Sequence, residues 1–260
     1  MPEGVEVNLL TKRIQKLKNC SINSISILSG RYSRHGNPKG FQQFNQSLPL
    51  KILNIHNKGK FIYFLLQNDW CIMITLGMAG TILIHENAQK HDHIKFSTNC
   101  GNFFFHDMRN FGTIEFSNNP TTLTNKLDKL GFDPLTEHIT PSQFIALLGR
   151  FPQNKKIAEL LLQQNFISGI GNYLRADILY CAQIHPLTLI ENITPQHSKK
   201  LLQCIYSIMH RSLQKQQNEQ LHKFLIYKQS TSPLGNPVET LKDKNNRTIW
   251  FVPKEQKLIS

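Results

Sequence analysis

The chain has 260 residues, 40% of them hydrophobic, which is enough for one large or two small cored domains. Lys and Arg number 30 against 17 Asp and Glu, a formal charge of +13 with a pI near 9.6. That balance suits a polyanion, since each neutralised phosphate releases counterions, although a merely basic soluble surface has the same composition. No apolar run is long enough to span a membrane, and no basic-then-apolar leader opens the chain. The cysteines (Cys20, Cys71, Cys100, Cys181 and Cys204) are odd in number and contain no CxxC. They are expected as core thiols of a reducing compartment, with neither a disulfide framework nor a zinc cluster signalled.

The chain opens Met1-Pro2-Glu3-Gly4-Val5-Glu6. Removal of the initiator Met before a small residue leaves Pro2 as a free secondary amine. An α-amino group has a pKa of roughly 7.7–8, so a useful fraction is unprotonated near neutral pH. Attack of such an amine on a sugar aldehyde carbon gives an iminium directly, and Glu3 beside it can donate and accept a proton. The same residues also suit a plain helix start, with Pro in the first turn and acids at the positive end.

Glu6 to Leu17 carries a helical stripe at Leu10, Ile14 and Leu17. Short β-rich runs follow at Ile22–Leu28, Phe61–Leu66, Cys71–Leu76, Thr81–Ile84, Asn102–Phe105 and Thr113–Phe116, punctuated by Gly, Asn and Pro. They predict a β-sandwich led by one helix, over residues 1–118. Residues 119–140 look like a linker. From Pro141 the period is helical: Ser142–Arg150, Lys155–Gln163, Asn172–Ala182 and Pro195–Gln214. Strands are expected again at Phe224–Lys228, Val238–Leu241 and Thr248–Val252, with a polar turn at Asp243-Lys244-Asn245-Asn246. There is no internal repeat.

Phe166 to Tyr180 contains a Gly169-Ile170-Gly171 turn that opens a helix at Asn172. Backbone N–H groups at such a turn can approach a phosphate, and Asn172 is placed to add a side-chain contact. A Gly-x-Gly helix start alone is often only a tight turn. Together with Pro2-Glu3-x-x-Glu6, however, the whole stretch from Pro2 to Phe251 resembles the formamidopyrimidine-DNA glycosylase / endonuclease VIII family. The motifs fall in that family's order, and Gly169–Tyr180 resembles its helix-two-turn-helix.

The resemblance implies roles residue by residue. Pro2 is the nucleophile, Glu3 the proton shuttle and Glu6 a supporting acid. Lys60, in Gly59-Lys60-Phe61, contacts the phosphodiester and assists elimination. Met78, in Leu76-Gly77-Met78-Ala79-Gly80, fills the gap left by an extruded base. His91, in Lys90-His91-Asp92-His93, contacts DNA; two His one residue apart could also suggest metal, but no third ligand is evident. Arg109 and Phe111, in Asp107-Met108-Arg109-Asn110-Phe111-Gly112, face the orphaned base and wedge the stack. An enzyme that works on a base must take it out of the duplex, and an apolar wedge offsets part of the lost stacking.

No Cys follows Cys204, so the four-Cys zinc finger common in the family cannot form. Asn246-Arg247-Thr248-Ile249-Trp250-Phe251 resembles the endonuclease VIII-like branch with a zincless finger, in which Arg247 reaches the lesion's phosphate. Some positions depart from the family's pattern. Val5 stands where a second Pro is common, Phe132 where Pro is commoner, Gln163 where an Asp is usual, and Ile157-Ala158-Glu159-Leu160 lacks a Lys found in many purine-directed members. The resemblance therefore implies an α+β protein with four parts: a catalytic β-sandwich (1–118), a linker (119–140), a helix-two-turn-helix domain (141–221) and a zincless finger (222–260). The implied enzyme is a monomeric, bifunctional DNA glycosylase/AP lyase for oxidised bases, pyrimidines and hydantoins above all. It needs no cofactor or metal and acts on damaged double-stranded DNA, abasic sites and, as a further candidate, single-stranded DNA, inside a DNA-containing compartment. A non-catalytic damaged-DNA-binding protein on the same fold and an RNA-binding helix-two-turn-helix protein are the rival readings. An intact Pro2, Glu3, Lys60 and Arg247 argue against the first, and the second does not explain an N-terminal Pro-Glu or the void-filling loop.

Overall fold

A computed structural model describes residues 2–218 and 223–259, so Met1, His222 and the 221/222 boundary lie outside the described residues. The fold is α+β and divides into two compact units between Lys129 and Leu130.

The N-terminal unit begins with helix α1 (Gly4–Ile14), extended by a 3-10 turn to Leu17. Val7, Leu10, Ile14 and Leu17 form its buried stripe, and Lys12 and Arg13 sit at its negative C-terminal end. Strand β1 (Ser21–Ile27) follows, then two short helices, α2 (Arg31–Arg34) and α3 (Phe41–Gln46). The remaining strands are β2 (Leu50–Lys58), β3 (Phe61–Leu66), β4 (Cys71–Thr75), β5 (Gly80–Ile84), β6 (Asp92–Thr98), β7 (Gly101–Asp107) and β8 (Thr113–Ser117). All pairings are antiparallel, in the order β5-β7-β6-β1-β2-β3-β4-β8. Only Ser21↔Lys51 and Ile22↔Leu50 join β1 to β2. The sheet thus folds at that seam into two four-stranded layers that share one core. Phe103 of one layer stacks on Phe64 of the other at 5.8 Å and on Phe96 of its own at 4.4 Å. Helix α1 packs on β2, β3 and β5.

Helix α4 (Pro120–Leu127), capped by Asn119, occupies much of the stretch that reads as linker. The C-terminal unit holds α5 (Pro141–Leu148), a single turn α6 (Ile157–Leu160), α7 (Asn172–Ala182), α8 (Pro195–Gln217) and the hairpin β9 (Glu239–Lys242) with β10 (Thr248–Phe251). Thr140 caps α5 in a capping box with Gln143, and Thr194 caps α8 ahead of a Pro at its first position. Lys155–Gln163 is helical over α6 alone. Phe224–Lys228, expected as a strand, is a turn. Its N–H groups at Leu225, Ile226 and Tyr227 donate to the Asp177 carboxylate at 2.9, 3.0 and 3.3 Å, which removes them from any strand ladder.

The cysteines correct the sequence expectation. Cys20–Cys100 and Cys181–Cys204 are disulfide-bonded, each with a Cα separation of 5.8 Å, and only Cys71 is a buried free thiol. The pairs are 80 and 23 residues apart, so packing alone brings them together. Burial, with the Glu115 carboxylate, pushes the Cys71 thiol up to about 11, which keeps it un-ionised.

Candidate functional site

In the N-terminal unit, Pro2 is half-buried and directly precedes the cap of α1. Glu3 is 2% exposed and is that cap. Its side chain accepts from the Glu6 backbone, and its own N–H donates to Glu6 Oε2 at 2.8 Å, so the two acids close a reciprocal box. The Glu3 carbonyl accepts from Val7 N at 3.0 Å. Pro-Glu therefore does open a helix, and in doing so it fixes Pro2 to a rigid element. Lys60 is half-buried in the tight turn between β2 and β3, where Gly59 has φ +55°.

Two loops meet at the end of the β5–β7 pair. Gly77, at φ +58°, lies so close to the second loop that a Cβ would stand 2.6 Å from Phe111 C and 2.7 Å from Gly112 N. That contact places exposed Met78 (41%) beside exposed Phe111 (54%). The Arg109 guanidinium lies 5.2 Å from the Phe111 ring centre, a cation–π pair. Met108, which has no role in the sequence reading, is 59% exposed in the same loop. These two loops thus expose three large apolar side chains and an Arg.

The second loop is held by buried Asp107, whose carboxylate accepts from Arg109 N at 3.1 Å and Gly112 N at 2.7 Å. Its carbonyl meets His93 Nε2 at 2.7 Å, and its N–H donates to the His91 carbonyl at 3.1 Å. His91 is thereby joined to the same region. It is half-buried at φ +73°, with its ring edge-on to His106 at 6.0 Å. Beneath it the buried Asp92 carboxylate meets His106 Nδ1 at 2.9 Å and His85 Nε2 at 3.2 Å and accepts from Gln89 N at 2.7 Å. The two histidines of the His–x–His spacing thus both anchor Asp107, His91 through its carbonyl and His93 through its ring.

In the C-terminal unit, Gly171 caps α7 and Asn172 is its first residue. The Asn172 amide donates to the Thr248 carbonyl at 3.1 Å, and its Oδ1 accepts from Arg175 Nη2. Asn172 is therefore tied to the hairpin as well as to the helix start. Arg175 is fully buried, and the sequence reading assigned it nothing. Its Nη1 donates to Ala158 O at 3.4 Å and to Asp243 Oδ2 at 3.3 Å, and its Nη2 donates to Thr248 O at 3.1 Å. Asp243 Oδ1 in turn accepts from Asn245 N and Arg247 N, both at 2.9 Å. Burial alone would raise the Asp243 carboxyl, but these donors and the guanidinium hold it below the usual range. Arg247 itself is exposed just past Asn246, which closes the turn at φ +58°. One network thus connects Asn172 to Arg247. A spacing of three from Asn172 to Arg175, together with an Asp in the hairpin turn, is the signal that could have found it.

Comparison with known proteins follows the same division. The family model for the formamidopyrimidine-DNA glycosylase N-terminal domain matches residues 1–114, and that for the formamidopyrimidine-DNA glycosylase H2TH domain matches residues 130–223. A formamidopyrimidine-DNA glycosylase of Solibacter usitatus is 31% identical over 82% of this chain and 78% of its own length. One of Arabidopsis thaliana is 27% identical over 99% of this chain and 71% of its own. The crystal structure of the Lactococcus lactis formamidopyrimidine-DNA glycosylase, bound non-covalently to DNA containing an AP site, superposes with a TM-score of 0.85. It is 25% identical, with 98% of this chain and 99% of that one covered.

Proposed function

This chain belongs to the formamidopyrimidine-DNA glycosylase family, and from that premise we propose the reaction and the residues that perform it. It is a DNA glycosylase of DNA repair. The finer reading is a bifunctional glycosylase/AP lyase of the endonuclease VIII-like branch, taking oxidised pyrimidines and hydantoins from damaged duplex DNA. The observation that supports the covalent chemistry is Pro2 directly preceding the cap of α1, beside the buried Glu3, while the branch rests on the resemblance of Asn246–Phe251.

The Pro2 nitrogen attacks the sugar C1′ and the N-glycosidic bond breaks, its electrons leaving with the base. Glu3 takes the proton released from the Pro2 nitrogen and returns it to the ring oxygen as the nitrogen lone pair breaks the C1′–O bond, giving the open-chain iminium, while the departing base takes its proton from water. The iminium acidifies C2′. Loss of a C2′ proton sends electrons into the C3′–O bond and expels the 3′ phosphate, and a second elimination releases the 5′ phosphate. Water then hydrolyses the iminium and frees Pro2. Lys60, Asn172 and Arg247 orient the phosphates, and fixing such geometry accounts for a large part of a barrier. Met78, Arg109 and Phe111 occupy the space of the extruded base, and His91 adds a contact to the backbone. The finger needs no metal in this reading. Its support is the packing of Ile226, Val252, Trp250, Tyr227 and Val238 on α7, together with the Arg175–Asp243 pair.

Borohydride reduction in the presence of abasic-site DNA should trap a covalent complex through Pro2. An uncleaved N-terminal tag should abolish it, and Pro2→Gly should weaken it. Undiminished trapping by the tagged protein refutes the assignment, and DNA binding without any trapping favours the non-catalytic reading.

A further inference from the structure

The loop that carries Arg109 and Phe111 has a neighbour with no assigned role, Gly30-Arg31-Tyr32-Ser33-Arg34-His35. Arg31 N–H donates to Asn110 Oδ1 at 3.1 Å, between those two side chains. The Tyr32 hydroxyl accepts from Ile114 N at 2.8 Å, just beyond the same loop, and its ring packs on the sandwich core. A Cβ on Gly30, at φ +80°, would fall 2.5 Å from His93 Nδ1 and 2.6 Å from Asn110 Oδ1. The segment is thus pinned tightly to the loop. Yet apart from half-buried Tyr32 every side chain of α2 is exposed. Four residues cannot sustain a helix unaided, so it persists because its backbone and Tyr32 are anchored, and what it displays is free to meet a partner.

What it displays is positive. No Asp or Glu occurs from Leu28 to Ser47, and Lys39, the third cation there, is paired with Glu115 at 2.9 Å. Arg31 and Arg34 are exposed and have no carboxylate partner among the described residues. Arg31 lies 5.5 Å from the Tyr32 ring centre and Arg34 Nε donates to Gly30 O at 3.3 Å, so both stems are ordered while most guanidinium donors remain unused. Three residues apart, the two side chains share one helix face, a turn from each other. A planar guanidinium matches the paired oxygens of a phosphate.

We infer that α2 extends the DNA interface: Arg31 and Arg34 bind backbone phosphates of the duplex flanking the space that Met78, Arg109 and Phe111 fill. This rests on the reading of that loop as void-filling. Phosphate contacts carry no sequence information but set register. Here they would hold the duplex in register with the wedge, because both are built on Asn110.

The test is fluorescence anisotropy on a duplex with a tetrahydrofuran abasic analogue, across a salt series, for the wild type, Arg31→Gln, Arg34→Gln and Lys18→Gln. Lys18 is an exposed cation on a different part of the unit. Each Arg variant should flatten the slope of log affinity against log salt by about 0.9, roughly an eightfold loss at 0.1 M salt. Lys18→Gln should leave it near wild type, and Arg34→Lys should restore most of the slope, since charge is kept. Arg variants that change the slope no more than Lys18→Gln overturn the inference. Wild-type borohydride trapping, run in parallel, reports separately on the catalytic reading, so failure of one is distinguishable from failure of the other.

Discussion

The Arg175–Asp243 pair gives the sharpest quantitative expectation. Their side chains are 1% and 3% exposed, and they meet at 3.3 Å. Removing one partner of such a pair leaves a buried charge without its counterion, which costs about 3–5 kcal/mol. Asp243→Ala also strips the acceptor from Asn245 N and Arg247 N. Arg175→Met strips donors from Ala158 O, Thr248 O and Asn172 Oδ1. If the losses were independent, the double variant would lose about 6–10 kcal/mol. It orphans no charge, however, so it should lose about 2 kcal/mol less than that sum, within the range of coupling energies measured between contacting residues. Trp70 and Trp250 are the only tryptophans. In a Trp70→Phe background, Trp250 in the hairpin reports urea unfolding of the C-terminal unit alone, and the four proteins of the cycle can be compared at constant m. A coupling below about 0.5 kcal/mol, or single variants that unfold at the wild-type midpoint, would refute the claim that this pair holds the hairpin.

Replacing Met78, Arg109 and Phe111 together by Ala should impair excision of a damaged base far more than strand cleavage at a preformed abasic site, where little stacking remains to be broken; equal losses in a gel assay on both substrates would give the loops another role. Asp243 titrates below its usual range, so its stabilisation is complete above the unfolded value of about 3.9 and is lost as pH falls through the folded value. The wild-type-minus-Asp243→Asn difference in the Trp250 urea midpoint should therefore shrink below about pH 4. That subtraction removes Asp177, which burial raises and which acts in the opposite sense. Chelators should leave excision unchanged and elemental analysis should find no stoichiometric zinc, whereas Trp250→Ala, which deletes a ring 4.5 Å from Tyr227, should lower stability by about 2–4 kcal/mol; stoichiometric zinc would place the finger in the other branch.

Much of this was legible in the sequence, for physical reasons. Asn172–Ala182 and Phe61–Leu66 agree with α7 and β3 residue for residue, because a Gly-Ile-Gly turn ends one period and an unbroken aromatic-aliphatic run defines the other. Strand β2 was missed because Asn54, His56 and Asn57 interrupt its apolar positions, and β6 because Asp92, His93 and Lys95 read as a polar motif. The turn at Phe224–Lys228 carries strand-like residues, and only the distant Asp177 carboxylate decides against a strand. The family resemblance brought Met78, Arg109 and Phe111 to attention, but not the buried Asp107 carboxylate that fixes the Arg109–Gly112 loop. A buried carboxylate aimed at backbone N–H groups leaves no trace in periodicity.

The same lesson explains how the C-terminal segment is held. Helix α7 is buried all along Tyr173–Leu179 and so cannot be amphipathic in the ordinary sense. Its apolar residues pack within the unit, while three polar ones each grip a different stretch of chain far downstream. Arg175 takes the hairpin turn through Asp243. Asp177 takes the backbone of Leu225–Tyr227. Tyr180, whose phenol burial and the Glu255 carboxylate push up to about 12, donates to Glu255 at 2.6 Å; the same carboxylate accepts from Ser232 and Asn236. A two-stranded hairpin is marginal in water by itself. Buried polar anchors add little net stability over apolar packing, yet each is satisfied in only one geometry. Distributed along a single rigid helix, they fix where the hairpin tip lies relative to the start of α7. Asn172 and Arg247, which the proposed reaction needs at a common phosphate backbone, are positioned by that shared helix.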